Sequence, residues 1–122
     1  MKIGKVASQA GVTVDTVRFY ERVGVLPPAA RTESGYRDYE PETVERIQLT
    51  RELQAIGFTL NDAIGALAAH DAGDATCESE RWRLQAVLDR VDARLAELNA
   101  LRVRIVQAQD ACARGDCMFT TS

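Results

Sequence analysis

Three cysteines, Cys77, Cys112 and Cys117, are the residues of this chain with the most distinctive chemistry. Their thiolates are soft ligands, which prefer Hg(II), Cu(I), Zn(II), Cd(II) or Pb(II) to Mg(II) or Ca(II). Four residues separate Cys112 from Cys117, and Gly115 among them permits a turn, so both sulfurs can converge on one ion. The spacing therefore predicts a soft-metal site.

Cys77 lies too far from the other two cysteines to join them within one chain. It precedes Cys112 by 35 residues, or five heptads, in a segment at about 77–113 that contains no Gly or Pro and has the pattern of one long helix. At 1.5 Å per residue the two thiols would be about 50 Å apart on nearly the same face. If two such helices pack antiparallel, Cys77 of one subunit meets Cys112 and Cys117 of the other, and two equivalent sites result.

The long helix itself predicts a partner helix. Apolar residues recur along it at steps of three and four, with Arg, Asp and Glu between them, as in a coiled coil. This narrow apolar seam fits a dimer better than a helix folded back on the rest of its own chain. The apolar seam consists of Leu84, Leu88, Val91, Leu95, Leu98, Leu101, Ile105, Ala108 and Cys112.

Residues 1–70 have the pattern of a small helical domain with a hairpin. A short helix before Gly11 is followed by a second helix that Thr13 can cap, which is a helix-turn-helix pattern. Polar and aromatic residues around a Ser-Gly turn predict a β-hairpin, or wing, at about 30–39. A third helix follows Pro41, and Thr59 caps a fourth that runs from about Leu60 to His70. Beyond it we expect a linker (71–76), the long helix (77–113) and a metal-binding loop and tail (114–122).

Composition and charge exclude several classes of function. The 122 residues are 46% hydrophobic and 27% charged, which is typical of a globular protein. The formal charge is -3, but residues 1–37 carry +3 and the rest carry -6, so the first part is expected to contact a polyanion. The sequence has no Gly-rich phosphate loop and no HExxH or GxSxG motif, so we do not expect an enzyme. It also has no apolar stretch near the ~20 residues of a membrane span and no secretory segment, so we expect a cytoplasmic protein.

Three segments, in order, resemble the MerR family of bacterial transcription regulators: IGKVASQAGVTVDTVRFYERVGVLPP, RTESGYRDY and LQAIGFTL. The long helix and the cysteines extend this resemblance to the end of the chain. The resemblance implies a mainly α fold in which a winged helix-turn-helix DNA-binding domain precedes a long antiparallel coiled-coil dimerisation helix. It also implies a homodimer that binds promoter DNA with RNA polymerase and changes the twist of that DNA when its effector binds.

The resemblance also assigns residues that contact DNA. The second helix would approach the major groove and its phosphates, and the wing would contact the backbone. A position partly in the core is the alternative for Phe19 and Tyr39, whereas Glu21 and Arg22 are expected to be solvated. The implied DNA contacts are Thr13, Thr16, Arg18 and Tyr20 at the second helix, and Arg31, Ser34, Gly35, Tyr36, Arg37 and Tyr39 in the wing.

The number of thiolates favours a divalent ion. Three thiolates with a divalent ion leave the same net charge of about -1 as two thiolates with a monovalent ion. The copper and gold sensors that this chain resembles carry serine at the position of Cys77. Three sulfurs satisfy trigonal Hg(II), which is favoured because the chain resembles the mercury sensors of the family. Zn(II) usually takes four ligands. Asp116 or water could supply the fourth ligand, so Zn(II), Cd(II) and Pb(II) are alternatives to Hg(II).

Two alternative functions also stay open. A thiol redox sensor would use Cys112 and Cys117 as its switch, and a soft-metal buffer protein would store the ion on its coiled coil. Binding to a specific promoter would exclude the buffer, and a metal-free response to peroxide would identify the redox sensor.

Overall fold

The computed structural model describes residues 1–119 of the chain. Residues 120–122 of the predicted tail lie outside the described residues. The described part forms two compact units, Met1–Arg83 and the residues from Leu84 onward. Its elements are α1 (Ile3–Ala10), α2 (Val14–Val23), β1 (Ala30–Arg31), β2 (Arg37–Asp38), α3 (Glu42–Ala55), α4 (Leu60–Asp71) and α5 (Cys77–Ala113). The predicted fold class, a mainly α chain with a winged helix-turn-helix and a long helix after it, is confirmed.

The turn between α1 and α2 forms as the sequence predicts. Gly11 ends α1 in the left-handed conformation with φ +72°, which a residue with a Cβ adopts only with strain. Thr13 then caps α2, because its Oγ1 accepts a hydrogen bond of 3.1 Å from the backbone N–H of Thr16. The two helices pack against each other, and α1 also packs against α3.

The core of the first unit draws one or more side chains from each of the helices α1 to α4. Val6 of α1, Val17 of α2, Ile47 of α3 and Leu67 of α4 are almost fully buried, together with Val25 in the loop after α2. Removing this apolar surface from water is the main stabilising contribution to the unit. The burial of Val17 in this core also determines which face of α2 is exposed to solvent.

The wing is a short antiparallel hairpin. Ala30 pairs with Asp38 and Arg31 pairs with Arg37. The backbone N–H of Thr32 donates to the carbonyl of Tyr36 over 2.7 Å, which closes the turn. Gly35 adopts φ +83° in that turn, so the wing needs glycine at this position.

Polar contacts connect α3, α4 and the loop after α2. The guanidinium of Arg46 donates to both carboxylate oxygens of Asp71 over 2.8 Å, and its Nε donates to the carbonyl of Val25. Thr59 and Asp62 form a capping box at the start of α4, so Thr59 caps this helix as predicted. The position of α4 in the unit is therefore fixed by side chains as well as by the core.

Helix α5 begins at Cys77, and the reciprocal hydrogen bonds of Thr76 and Ser79 close its first turn. From Leu84 to Ile105 the large residues of the apolar seam keep between 45% and 60% of their surface exposed. Within the described residues, no helix combines the length and the apolar character needed to cross a membrane.

Candidate DNA-binding surface and candidate metal site

One face of α2 is exposed along its whole length. Asp15, Arg18, Phe19 and Arg22 follow each other at spacings of three, one and three, which places them on one side of a helix. All four are exposed, and we call them the α2 face. The guanidinium of Arg22 lies 5.4 Å from the centre of the Phe19 ring, within the range of a cation–π contact.

A groove of about 870 Å³ lies between α2, the wing and the start of the chain. Four cationic side chains line it, and its one acid, Glu21, is paired with Arg37. The Nζ of Lys2 lies 5.7 Å from the centre of the exposed Tyr36 ring. Such a cationic surface suits the phosphates of a nucleic acid, because it replaces their counterions. The cations that line the groove are Lys2, Arg18, Arg22 and Arg37.

Glu21 connects α2 to the wing. Its Oε2 accepts hydrogen bonds from the hydroxyl of Tyr39 over 2.8 Å and from the guanidinium of Arg37 over 3.0 Å. Its Oε1 accepts a bond of 3.2 Å from the backbone N–H of Ala29. We call these four residues the Glu21 network. The expectation that Glu21 is solvated is wrong: its side chain is only 13% exposed, because three donors from the wing and the loop before it surround the carboxylate.

The Glu21 network shifts the pKa of two of its members. Burial, followed by the hydrogen bond to Glu21, raises the pKa of Tyr39 above its ordinary value. The hydrogen bond with Tyr39, followed by the negative charge of Glu21, raises the pKa of Arg37. Tyr39 therefore stays a neutral donor and Arg37 stays a cation at neutral pH.

The structure does not place Tyr20 and Tyr39 at the surface. Tyr20 is 6% exposed, and its hydroxyl donates to the side chain of Gln54 over 3.0 Å. Tyr39 is 3% exposed. Neither side chain has the free surface that a contact with DNA requires, so these two assignments are corrected: both residues belong to the core, as the alternative for Tyr39 stated. Phe19 is 38% exposed and does not belong to the core cluster.

The other predicted DNA contacts lie on or near the groove. Arg18, Gly35, Tyr36 and Arg37 line it. The Oγ1 atoms of Thr13 and Thr16 are 2.9 Å apart at the start of α2, Arg31 donates to the carbonyl of Gly35, and Ser34 is exposed at the tip of the wing. Lys2 and Arg22 also line the groove, and Phe19 lies on the α2 face, but the sequence did not single them out as candidate contacts. The spacing of Arg22 from Arg18, one helical turn, was the available signal, whereas Lys2 belongs to no motif.

A tight turn at the end of α5 carries the chain back toward Cys112. Gly115 has φ +87°, its N–H donates to the carbonyl of Cys112, and the N–H of Asp116 donates to the carbonyl of Ala111 over 2.8 Å. These two bonds form a Schellman motif, in which glycine is the favoured residue. The turn brings Cys117 next to Cys112.

The thiols of Cys112 and Cys117 are in hydrogen-bond contact. This contact, and then desolvation, raises the pKa of Cys112, while a hydrogen bond from the backbone of Met118 to its sulfur opposes the shift. An apolar cavity of about 360 Å³ adjoins Cys112 and is lined by Ile105, Ala108, Gln109, Met118 and Phe119. Two adjacent sulfurs beside an apolar surface fit a soft metal ion.

Cys77 is exposed at the first residue of α5. Within the described part of one chain, no group of three Cys, His, Asp or Glu side chains lies close enough to hold an ion. The donor set of Cys112 and Cys117 is therefore suited to a soft ion but supplies two of the three predicted thiolates.

Comparisons with known proteins agree with these features. Residues 1–70 match the family described as MerR HTH family regulatory protein, and residues 44–108 match the family described as MerR, DNA binding. The chain is 31% identical to the mercuric resistance operon regulatory protein of Bacillus cereus, over 91% of this chain and 84% of that one. It is 33% identical to the HTH-type transcriptional regulator ZntR of Escherichia coli, over 91% of this chain and 79% of that one.

A solved structure resembles the whole chain. It is the transcription regulator PbrR691 from Ralstonia metallidurans CH34 in complex with lead(II), with a TM-score of 0.83 and 30% identity over 100% of this chain and 91% of that one. The expectation that the chain is not an enzyme is confirmed, because these relatives are transcription regulators. The chain belongs to the MerR family of helix-turn-helix regulatory proteins.

Proposed function

We propose that this protein is a metal-responsive transcription regulator that binds promoter DNA as a homodimer. On binding a soft divalent ion it changes the twist of that DNA and thereby the activity of RNA polymerase. Hg(II) is the favoured ion, with Zn(II), Cd(II) and Pb(II) as alternatives. The observation that carries the proposal is the pair of adjacent thiols, Cys112 and Cys117, at the end of α5 in a MerR family chain.

The DNA-binding half of the proposal rests on the cationic groove. Arg18 and Arg37 line it from α2 and from the wing, so one phosphate backbone can meet both elements. The relatives support this use, since a MerR family regulator 27% identical to this chain has been solved bound to promoter DNA with a TM-score of 0.58. Binding should weaken steeply with salt, because contacts to phosphates release counterions.

The homodimer rests on the apolar seam. About half of the surface of each large seam residue from Leu84 to Ile105 is exposed. A continuous apolar stripe of this length is stabilised when a second copy covers it. In an antiparallel pair, the partner's α5 would bring its own Cys77 to the site of Cys112 and Cys117.

The metal site would hold the ion by three thiolates, two from one subunit and one from the other. The bound ion supplies a link between the two subunits. The Schellman turn places Cys117 beside Cys112, and the cavity next to Cys112 offers the ion an apolar surface. Asp116 follows directly on the turn and is the candidate for a fourth ligand where the ion requires one.

A mixed dimer tests the shared site. One subunit carries Cys77→Ser and the other carries Cys112→Ser with Cys117→Ser, with a different affinity tag on each. One site of this heterodimer loses all three thiols, and the other keeps all three. Native mass spectrometry should therefore find one tightly bound Hg(II) per heterodimer and weak binding in both mutant homodimers.

Two measurements separate this proposal from its alternatives. A heterodimer that binds Hg(II) no better than its parents would show that the cysteines of different subunits never meet. Equilibration of the intact dimer with competing Hg(II), Zn(II), Cd(II) and Pb(II), followed by mass spectrometry, identifies the preferred ion. Failure to select any DNA sequence would leave a soft-metal buffer.

A second candidate function, thiol redox sensing, is favoured by the contact between Cys112 and Cys117. One molecule of hydrogen peroxide would take two electrons and two protons from the pair, forming one S–S bond and two molecules of water. Transcription by the metal-free protein should then respond to peroxide, and Cys117→Ser should abolish that response. No response to peroxide in the metal-free protein excludes this candidate.

A further inference from the structure

Asp15 is the one acid on the α2 face, among Arg18, Phe19 and Arg22. Its side chain is 94% exposed. The nearest charge is the guanidinium of Arg18, whose NH1 lies 3.6 Å from Oδ1, which is too long for a hydrogen bond. The carboxylate therefore retains its capacity to accept a hydrogen bond from outside the protein.

Capping does not explain this acid. Thr13 caps α2 with its own side chain, through its bond to the N–H of Thr16. A carboxylate in the first turn stabilises a helix through the dipole, but an exposed group contributes only slightly. Asp15 is therefore almost fully exposed on the α2 face and has no structural role comparable to that of Thr13.

The electrostatics of DNA limit what Asp15 can contact. A phosphate would repel the carboxylate, so a position next to the backbone would weaken binding. In helix-turn-helix proteins the first residues of the second helix lie against the base edges in the major groove. Among the major-groove edges, those of cytosine and adenine carry an amino group that donates to a carboxylate. In adenine the adjacent N7 is an acceptor and repels the second carboxylate oxygen, whereas cytosine has no acceptor on that edge.

We infer that Asp15 determines sequence specificity by accepting a hydrogen bond from the N4 amino group of a cytosine in each half of the operator. The inference rests on the proposed function, since it requires α2 to enter the major groove. By the two-fold symmetry of the dimer, the cytosine should occur at the same position in both half-sites. Arg18, one turn further along the α2 face, is then available for a phosphate or a guanine close by.

Selection from a library of double-stranded DNA with a random core tests the inference. The full-length wild-type chain, Asp15→Asn and Asp15→Ala are compared, with Glu52→Gln as a control that neutralises another exposed acid of the same unit. The wild type should select cytosine at one symmetric position, with a preference of at least about five-fold. Asp15→Asn should select adenine there, because its amide pairs with N6 and N7 together, and Asp15→Ala should lose the preference. Glu52→Gln should select the wild-type sequence.

The outcomes distinguish this inference from the proposed function. If the wild type selects an operator and the two Asp15 variants select the same one, Asp15 does not contact a base and the inference is wrong. A change confined to the melting temperature of these variants would assign Asp15 to the stability of α2 and would also overturn it. If the wild type selects no sequence at all, the proposed function fails and the inference fails with it.

Discussion

The two compact units of this chain use their apolar residues in opposite ways. In Met1–Arg83 the largest aliphatic side chains, such as Ile47 and Leu67, are almost fully buried. In the residues from Leu84 onward, Leu95 and its neighbours in the apolar seam remain about half exposed. The first unit therefore buries most of its large aliphatic side chains within itself, whereas the second leaves its apolar seam exposed, as the proposed homodimer requires.

The polar contacts of the two units also differ, in how far apart in sequence the contacting residues lie. In the first unit they join distant parts of the chain, as Arg46 does with Asp71 and Arg37 with Glu21. Along α5 they join neighbours within one or two turns, such as Arg94 with Glu97 and Gln85 with Asp89. The long-range contacts hold a surface in shape, whereas the local ones support a helix and leave its tertiary packing undetermined.

The largest expected effect comes from a charge in the apolar seam. Leu95→Asp should dissociate the proposed homodimer, with a loss of affinity of about 1,000-fold or more, because two-fold symmetry buries two unpaired carboxylates. Sedimentation equilibrium measures the change. Ala93→Asp is the matched control, since it adds the same charge to the same helix at a position outside the seam and should leave the dimer intact. A Leu95→Asp chain that sediments as a dimer would show that the seam does not form the interface.

An intermediate effect is expected at Glu21. Glu21→Ala removes the acceptor of three hydrogen bonds and should cost about 2 kcal/mol of stability in the first unit. It should also weaken operator binding about ten-fold or more, because the wing is no longer held against α2. Glu21→Gln keeps an acceptor oxygen but loses the charge opposite Arg37, so its effects should be smaller.

Chemical denaturation and fluorescence anisotropy with labelled operator DNA measure the two effects of the Glu21 variants. Glu33→Gln, at an exposed acid in the wing, is the control for a change in charge. Wild-type affinity in Glu21→Ala would show that the wing keeps its position without the Glu21 network.

The smallest effect concerns Asp71. Its hydrogen bonds to Arg46 lower the pKa of the carboxyl below its ordinary value. Because the pKa of Asp71 is lowered in the folded state, the contact stabilises the fold at any pH above the ordinary pKa of an aspartate. This stabilisation is lost as the pH falls through the lowered pKa of the folded state. Asp71→Asn should therefore reduce stability slightly at pH 7 and flatten its decline as the pH falls below the ordinary pKa of an aspartate. Thermal unfolding as a function of pH, with Asp74→Asn as the control, measures the difference, and parallel curves for Asp71→Asn and wild type would contradict it.

The local structure of the first unit could be predicted from the sequence because single residues determine it. Gly11 has the left-handed conformation that its turn requires, and Thr13 and Thr59 cap the helices that follow them. Periodicity indicated which residues lie on the apolar seam, since a helix repeats its faces regularly. These features depend on neighbours within a few positions.

The Glu21 network could not be predicted, because it depends on contacts between residues far apart in sequence. Tyr39 and Arg37 meet Glu21 across 18 and 16 positions, and Tyr20 meets Gln54 across 34. A tyrosine has a ring that favours burial and a hydroxyl that favours a polar contact, so its type alone does not decide whether it lies at the surface. In the candidate metal site, by contrast, the adjacency of Cys112 and Cys117 followed from one glycine between them.

The Glu21 network has a consequence for exchanging modules between regulators of this type. Replacing only α2 to obtain a new operator preference would also remove Glu21. The side chains of Arg37 and Tyr39 and the backbone N–H of Ala29 would then lose their common hydrogen-bond acceptor. The smallest segment that can be transplanted as a unit therefore runs from α2 to the end of the wing.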